Sequence, residues 1–221
     1  MLLALLFALI ITNNVTEKQS KFFKSAIYLP NVVSAVAMGM MWIMYVYNTE
    51  YGLLHNVFST FGLKTLSGTM WTGPGTRFWS MLAAYCFGMV GYHMLIFISG
   101  IDQIPKDYFE AAMLEGVNPF QRFWHITLPN IRGVIRTNVV MWTVFTVGFF
   151  VWSRIFSQVN LSNDTVTPMT YMYELVFGAS SSAITVRDSG AGAAIGVVQM
   201  LMVIGVFAAT VYIVRNDDAE V

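Results

Sequence analysis

Four long apolar runs set the terms for any fold of this chain. Residues 26–47, 78–99, 133–156 and 191–214 contain no acidic residue, and their only bases are Arg136 and Arg154, near the two ends of the third run. Each is long enough to cross a bilayer, which takes about 20 apolar residues as a helix. The chain of 221 residues is 56% hydrophobic and only 11% charged, where soluble domains carry about a quarter. The expectation is an all-α, polytopic transmembrane helical bundle forming one domain over residues 1–221.

The remaining composition removes other classes. Twelve basic and twelve acidic residues cancel, so no net field attracts nucleic acid. Cys86 is the single cysteine and lies inside an apolar run, which leaves no internal disulfide and no second thiol for a metal. No G-x4-G-K-[ST] phosphate loop occurs, and no paired histidines or buried carboxylates suggest a metal, a cofactor or a catalytic constellation. Asn14, Asn160 and Asn163 open N-x-[ST] sequons, which matter only in a glycosylating secretory pathway and would be chance matches in a bacterial protein. The opening MLLALLFALII is too short to span and lacks the basic lead of a signal peptide; it reads as the tail of a helix whose beginning is missing.

Charge placement orients the spans. With loops alternating sides, Lys18, Lys21, Lys24, Lys106, Arg122, Arg132, Arg136 and Arg215 fall on one side, and Lys64, Arg77, Arg154 and Arg187 on the other. The positive-inside bias puts the loop of residues 100–132 and the C-terminus in the cytoplasm. The loops of residues 48–77 and 157–190 then face outward, with a composition suited to short interfacial helices or a lid.

The loop of residues 100–132 is unusual for its charge and punctuation. Pro105 stands where a helix could begin, Asp107 and Glu110 follow where the helix dipole favours negative charge, and Gly116 offers a C-terminal stop. Asn118, Pro119 and Gln121 then form a capping-box pattern. Phe120, Phe123, Trp124 and Thr127 recur with the spacing of one helical face. Leu128 before Pro129 is expected to end this second helix. The segment therefore predicts helix, glycine turn, helix. On physics alone two readings stand: an amphipathic hairpin lying in the headgroup region, or a rigid knob whose first helix docks a soluble partner.

Glu110, Ala111, Ala112, Gly116, Ile126, Leu128 and Pro129 reproduce EAA-x3-G-x9-I-x-LP without a gap. In this the chain resembles the inner-membrane permease subunits of bacterial binding-protein-dependent ABC importers of type I. Leu29, Pro30, Ser34, Trp42, Gly52, Leu53, Leu54 and Asn56, and the IP dipeptide before the EAA, resemble the carbohydrate-type subgroup. The likeness runs from about Phe22 to Val214. Glu115 keeps the acidic residue before the glycine but stands where the family typically has Asp, a conservative departure. A GGP-x-x-x-T element often seen in the last outer loop is reduced to Asn163, Asp164 and Thr165 with Pro168 nearby. Family members usually have six spans, which implies that about one and a half N-terminal helices are missing.

The resemblance implies a permease subunit of the inner membrane that forms the pathway for a carbohydrate or related small solute and is not itself an enzyme. Its partners would be a cytoplasmic ABC ATPase dimer, a second permease that is usually a different chain, an extracytoplasmic solute-binding protein and the bilayer. Glu110 would meet a basic residue of the ATPase, Ala111 and Ala112 would allow close approach, and Gly116 would turn the chain. Closure of the ATPase pair would then drive alternating access. A polyol, glycerol phosphate or an amino acid is the alternative cargo, and a stand-alone secondary transporter the alternative mechanism. Asn31, Ser34, His93 and Gln199 are candidate pathway residues because polar groups at membrane depth face the protein interior, and Trp142 is a candidate as an aromatic that could stack on a sugar face. The same polar groups suit hydrogen bonds between helices equally well. Gly192 and Gly196 form a GxxxG suited to close helix packing.

Overall fold

The computed structural model of the chain describes residues 1–14, 16–157, 163–178 and 187–213. Asn160, Val214 and Arg215, named above, lie outside them. Among the described residues every regular element is helical. In chain order these are α1 (Leu2–Asn14), α2 (Glu17–Val32), α3 (Ala35–Met41) continuing as a π-helical turn (Trp42–Val46), α4 (Leu53–Thr60) and α5 (Lys64–Ser67). There follow α6 (Arg77–Ile101), α7 (Lys106–Leu114), α8 (Pro119–Arg122) with a π-helical turn (Phe123–Thr127), and α9 (Leu128–Asn130). The last are α10 (Arg132–Val147), α11 (Val151–Ser157), α12 (Pro168–Phe177) and α13 (Ser189–Ile213).

Two of these, α6 and α13, are long and apolar enough to cross a membrane unaided. The other two apolar runs are each divided. Residues 26–47, read from the sequence as one span, are shared between α2 and the α3–π segment, which meet at 95°. Residues 133–156 are shared between α10 and α11, bent by 41°. Hydropathy does not register such breaks, because a broken helix is as apolar as a straight one.

Both breaks free backbone groups that side chains then satisfy, one close in sequence and two distant, as they must where no water is at hand. Pro30 lies inside α2 and cannot donate to the carbonyl four residues back. Ser34 then adopts an extended backbone, and its hydroxyl accepts the Ala37 N–H at 3.3 Å to start α3. At the second break, two carbonyls freed from the ladder are taken by side chains. Gln199 donates to Val147 O at 3.2 Å, and Thr167 Oγ1 donates to Phe149 O at 2.8 Å.

The chain divides into two compact units. The first comprises residues 1–29, 90–145 and 202–221; the second comprises residues 30–89 and 146–201. In the first, Ala4, Ala8 and Ile11 of α1 bury against Met94, Phe97, Ile98 and Ile101 of α6, with Ile131 at the base of α10. The first unit is tightest where α2 passes α6. A Cβ on Gly91 would stand 2.3 Å from the Ile27 carbonyl oxygen and 2.6 Å from the Tyr28 Cα, so only glycine admits this approach. In the second unit Met38, Tyr47, Met81, Ala84, Tyr85, Trp152 and Phe156 form the core. Tyr47 donates to Ser80 O at 2.8 Å, and Arg154 of α11 pairs with Glu174 of α12 at 3.1 Å. The GxxxG of α13 also packs within this unit. A Cβ on Gly192 would meet Val176 Cγ2 at 2.5 Å, and one on Gly196 would lie 3.5 Å from Met172 Sδ.

Candidate coupling site

The hairpin between α6 and α10 follows from short-range chemistry. Pro105, with φ −55° and ψ 134°, caps α7 from just outside it and does not occupy its first turn, where Asp107 lies. At the other end Gly116 takes φ 72°. Its N–H bonds Met113 O at 3.2 Å while the Val117 N–H reaches Ala112 O at 3.0 Å. That pair of bonds is a Schellman stop, which needs a left-handed residue and so selects glycine. Asn118 then opens α8 with both halves of a capping box: its Oδ1 accepts the Gln121 N–H at 2.8 Å, and Gln121 Oε1 accepts the Asn118 N–H at 3.3 Å. Pro119 follows in the first turn.

Beyond α8 the structure departs from the sequence reading. Pro129 does not end the second helix; the backbone stays helical through Leu128, Pro129 and Asn130 and breaks at Ile131. The π-helical turn explains this. Leu128 N–H bonds Phe123 O, five residues back, and the widened turn makes room for a proline ring that would crowd an ordinary ladder. Asn130 Nδ2 caps Ile126 O at 2.7 Å. The extra residue also rotates the face. Ile126 and Thr127 turn inward, while Phe120 and Trp124 stay exposed, touching each other with centroids 6.1 Å apart. The expected aromatic face therefore does not seat as a unit within this chain.

Glu110 and Ala111 are exposed on α7, whereas Ala112 is 5% exposed and faces the hairpin's own interior. Tyr108, Ala111, Ala112, Glu115, Gln121, His125 and Ile126 line a concavity of about 460 Å³ between the two arms. Leu128 and Pro129 are half-buried. Arg122 lies over the Phe109 ring, 5.7 Å from its centroid, and links the arms.

The stem is held at three levels. Lys24 of α2 reaches Asp102 at 3.4 Å. Gly100 of α6 meets Val134 of α10, where a Cβ would come within 2.5 Å of Cγ2. Deeper still, about two turns back along α6 and one turn on along α10, His93 and Asn138 pair reciprocally. His93 Nδ1–H donates to Asn138 Oδ1 at 2.7 Å, and Asn138 Nδ2 donates to His93 O at 3.3 Å. Both side chains are buried, and His93 Nε2 has no partner.

The polar residues singled out from sequence thus have structural partners. Asn31 donates to Gly88 O at 3.3 Å, Ser34 caps α3, Gln199 repairs the α10–α11 break, and His93 pairs with Asn138. Trp142 is 42% exposed. Asn138, Lys24 with Asp102, and Arg154 with Glu174 escaped the sequence reading. Asn138 carried a signal, since it is the one amide side chain in residues 133–156.

A mostly apolar helical chain, with two helices long enough to cross a bilayer, two further bent apolar pairs and a doubly capped hairpin after α6, has the make-up of a polytopic membrane protein. The chain matches the family described as binding-protein-dependent transport system inner membrane component over residues 2–216, and it belongs to that family. The arabinooligosaccharides transport system permease protein AraP of Halalkalibacterium halodurans is 26% identical over 199 residues, covering 90% of this chain and 60% of that protein. The probable starch degradation products transport system permease protein AmyD of Thermoanaerobacterium thermosulfurigenes is 25% identical, covering 96% and 68%. The probable ABC transporter permease protein YurN of Bacillus subtilis is 31% identical over 137 residues, covering 62% and 47%. The chain therefore spans about half to two thirds of the length of these relatives. A chain in the crystal structure of a bacterial alginate ABC transporter in complex with alginate pentasaccharide-bound periplasmic protein superposes with TM-score 0.76 at 19% identity, covering 96% of this chain and 71% of that one. That likeness shows the fold, an importer-permease helical bundle.

Proposed function

We propose that this chain is the pathway-forming permease subunit of an ATP-driven importer of a carbohydrate, with ATP hydrolysed by a separate chain. The observation that carries the reading is the hairpin: a helix exposing Glu110, stopped by Gly116, braced from behind by Ala112 and Ile126, and pinned to α6 and α10. A rigid knob seated on the membrane-length helix α6 and on the bent apolar α10–α11 segment passes a push from a soluble motor into the bilayer, whereas a floppy loop would absorb it. Three relatives are named for arabinooligosaccharides, starch degradation products and diacetylchitobiose, which supports a sugar as cargo.

In this reading the hairpin and the C-terminus are cytoplasmic. The hairpin enters a cleft of an ABC ATPase dimer, Glu110 meets a basic residue there, and a second permease and an extracytoplasmic solute-binding protein complete the importer. Glu110, Ala111, Gly116, Ile126, Leu128 and Pro129 serve the coupling element. Ala112 serves it from inside by packing its first helix. The test is co-expression with the neighbouring permease and ATPase genes. Wild type should capture the ATPase and show sugar-stimulated hydrolysis, and Glu110→Ala with Gly116→Pro should lose both while still inserting in the membrane. Unchanged capture in the double variant would refute the coupling role.

A further inference from the structure

Helix α4 carries an exposed apolar stripe that the transport reading leaves unused. At about 100° per residue, Leu53, Val57, Phe61, Leu54 and Phe58 fall on one continuous arc of about 140°, while His55, Ser59, Asn56 and Thr60 take the opposite side. The structure splits the apolar arc in two. Leu54 packs on the core of the second unit, and Phe58 stacks on Trp71 with centroids 5.9 Å apart. Leu53, Val57 and Phe61, spaced by four, are 56%, 41% and 76% exposed.

We infer that α4 lies in the membrane interface with Leu53, Val57 and Phe61 immersed at the level of the upper acyl chains, so that the partner of this face is lipid. Three observations select lipid. First, α4 cannot leave the bilayer surface. Only six residues separate it from the π-helical turn that ends the bent apolar α2–α3 pair, and that linker is folded on itself, with Gly52 N–H bonded to Asn48 O at 3.1 Å. Secondly, the helix is anchored in its rotation, because His55 Nδ1 lies 2.9 Å from Ser67 O on α5 and Leu54 and Phe58 are seated. The stripe therefore presents a fixed face beside a protein core, with polar residues on the side away from it, the arrangement of an interfacial helix. Thirdly, the stripe bears no charge, with Glu50 and Lys64 the nearest in sequence. Tyr51 beside it and Trp79 at the start of α6 are exposed aromatics of the kind that sit at headgroup level.

The inference rests only on membrane insertion and is independent of what the importer carries. The test places an environment-sensitive fluorophore at Val57→Cys or, one residue away on the polar arc, at Asn56→Cys, each in a Cys86→Ala background. The labelled protein, with its co-purifying partner chains, is put into phosphatidylcholine nanodiscs. Val57 should be quenched several-fold more by 5-doxyl lipid than by aqueous iodide, and Asn56 the reverse. Equal iodide quenching at the two sites would place the stripe in water and overturn the inference. Protection of Val57 from both quenchers would show a protein on that face, a second permease or a solute-binding protein, and would overturn it equally.

Discussion

Replacing Asn138 by leucine removes the acceptor of the buried His93 Nδ1–H, and the consequence is measurable. In the native pair His93 and Asn138 exchange bonds of 2.7 and 3.3 Å across α6 and α10. With His93 3% exposed and its Nε2 already without a partner, the variant leaves an imidazole with neither nitrogen bonded. An orphaned buried donor costs about 1–3 kcal/mol. Bonds between membrane helices return less, about 0.6 kcal/mol on average and about 1.7 at most, because the inserted but unassembled state finds other partners. His93→Leu is the milder change, since Asn138 Nδ2 still has the residue-93 carbonyl. In the double variant no polar group is stranded. The double variant should therefore be less destabilised than the sum of the singles by about 0.6–1.7 kcal/mol, read from equilibrium unfolding in bicelles. Singles that sum to the double within about 0.3 kcal/mol, the scatter of independent sites, would refute the pairing.

Gly116→Ala should cost about 1–2 kcal/mol, because φ 72° is left-handed and nothing else crowds the site; thermal melting in detergent checks it. Gly91→Ala should abolish folded yield by size-exclusion chromatography, since its Cβ would meet backbone atoms of α2 at 2.3–2.9 Å, whereas Gly196→Ala, facing a pliant methionine sulfur at 3.5 Å, should stay within about 0.5 kcal/mol of wild type. Arg154→Met strands the mostly buried Glu174 carboxylate and should cost about 3 kcal/mol. Glu17→Gln, which breaks a fully surface-exposed pair with Lys21, should change the same unfolding free energy by about 0.5 kcal/mol or less.

The parts of the site legible in the sequence are those governed by neighbours a few residues apart. The stop at Gly116 and the box of Asn118 with Gln121 are bonds between residues at most five positions apart, so their residue types announce them. Pro129 shows the limit of local rules. Its ring ends a helix in isolation, but burial of Thr127 and Ile131 holds the chain helical, and one wide π turn relieves the clash. Ala111 and Ala112 are adjacent and chemically identical, yet only the fold decides that the first is exposed and the second buried.

By itself the sequence determined that the chain is helical and membrane-spanning, where its apolar runs lie, and that a capped hairpin separates the second run from the third. Each of these depends on hydropathy or on bonds within a turn. Tertiary structure alone decided that the first and third runs are bent by 95° and 41°, that Gln199 serves a break 52 residues away, and that His93 faces Asn138. A polar side chain at membrane depth must find a partner, but its own residue type does not name which one. That choice falls to whichever helix the packing of small residues such as Gly91 and Gly100 brings within reach.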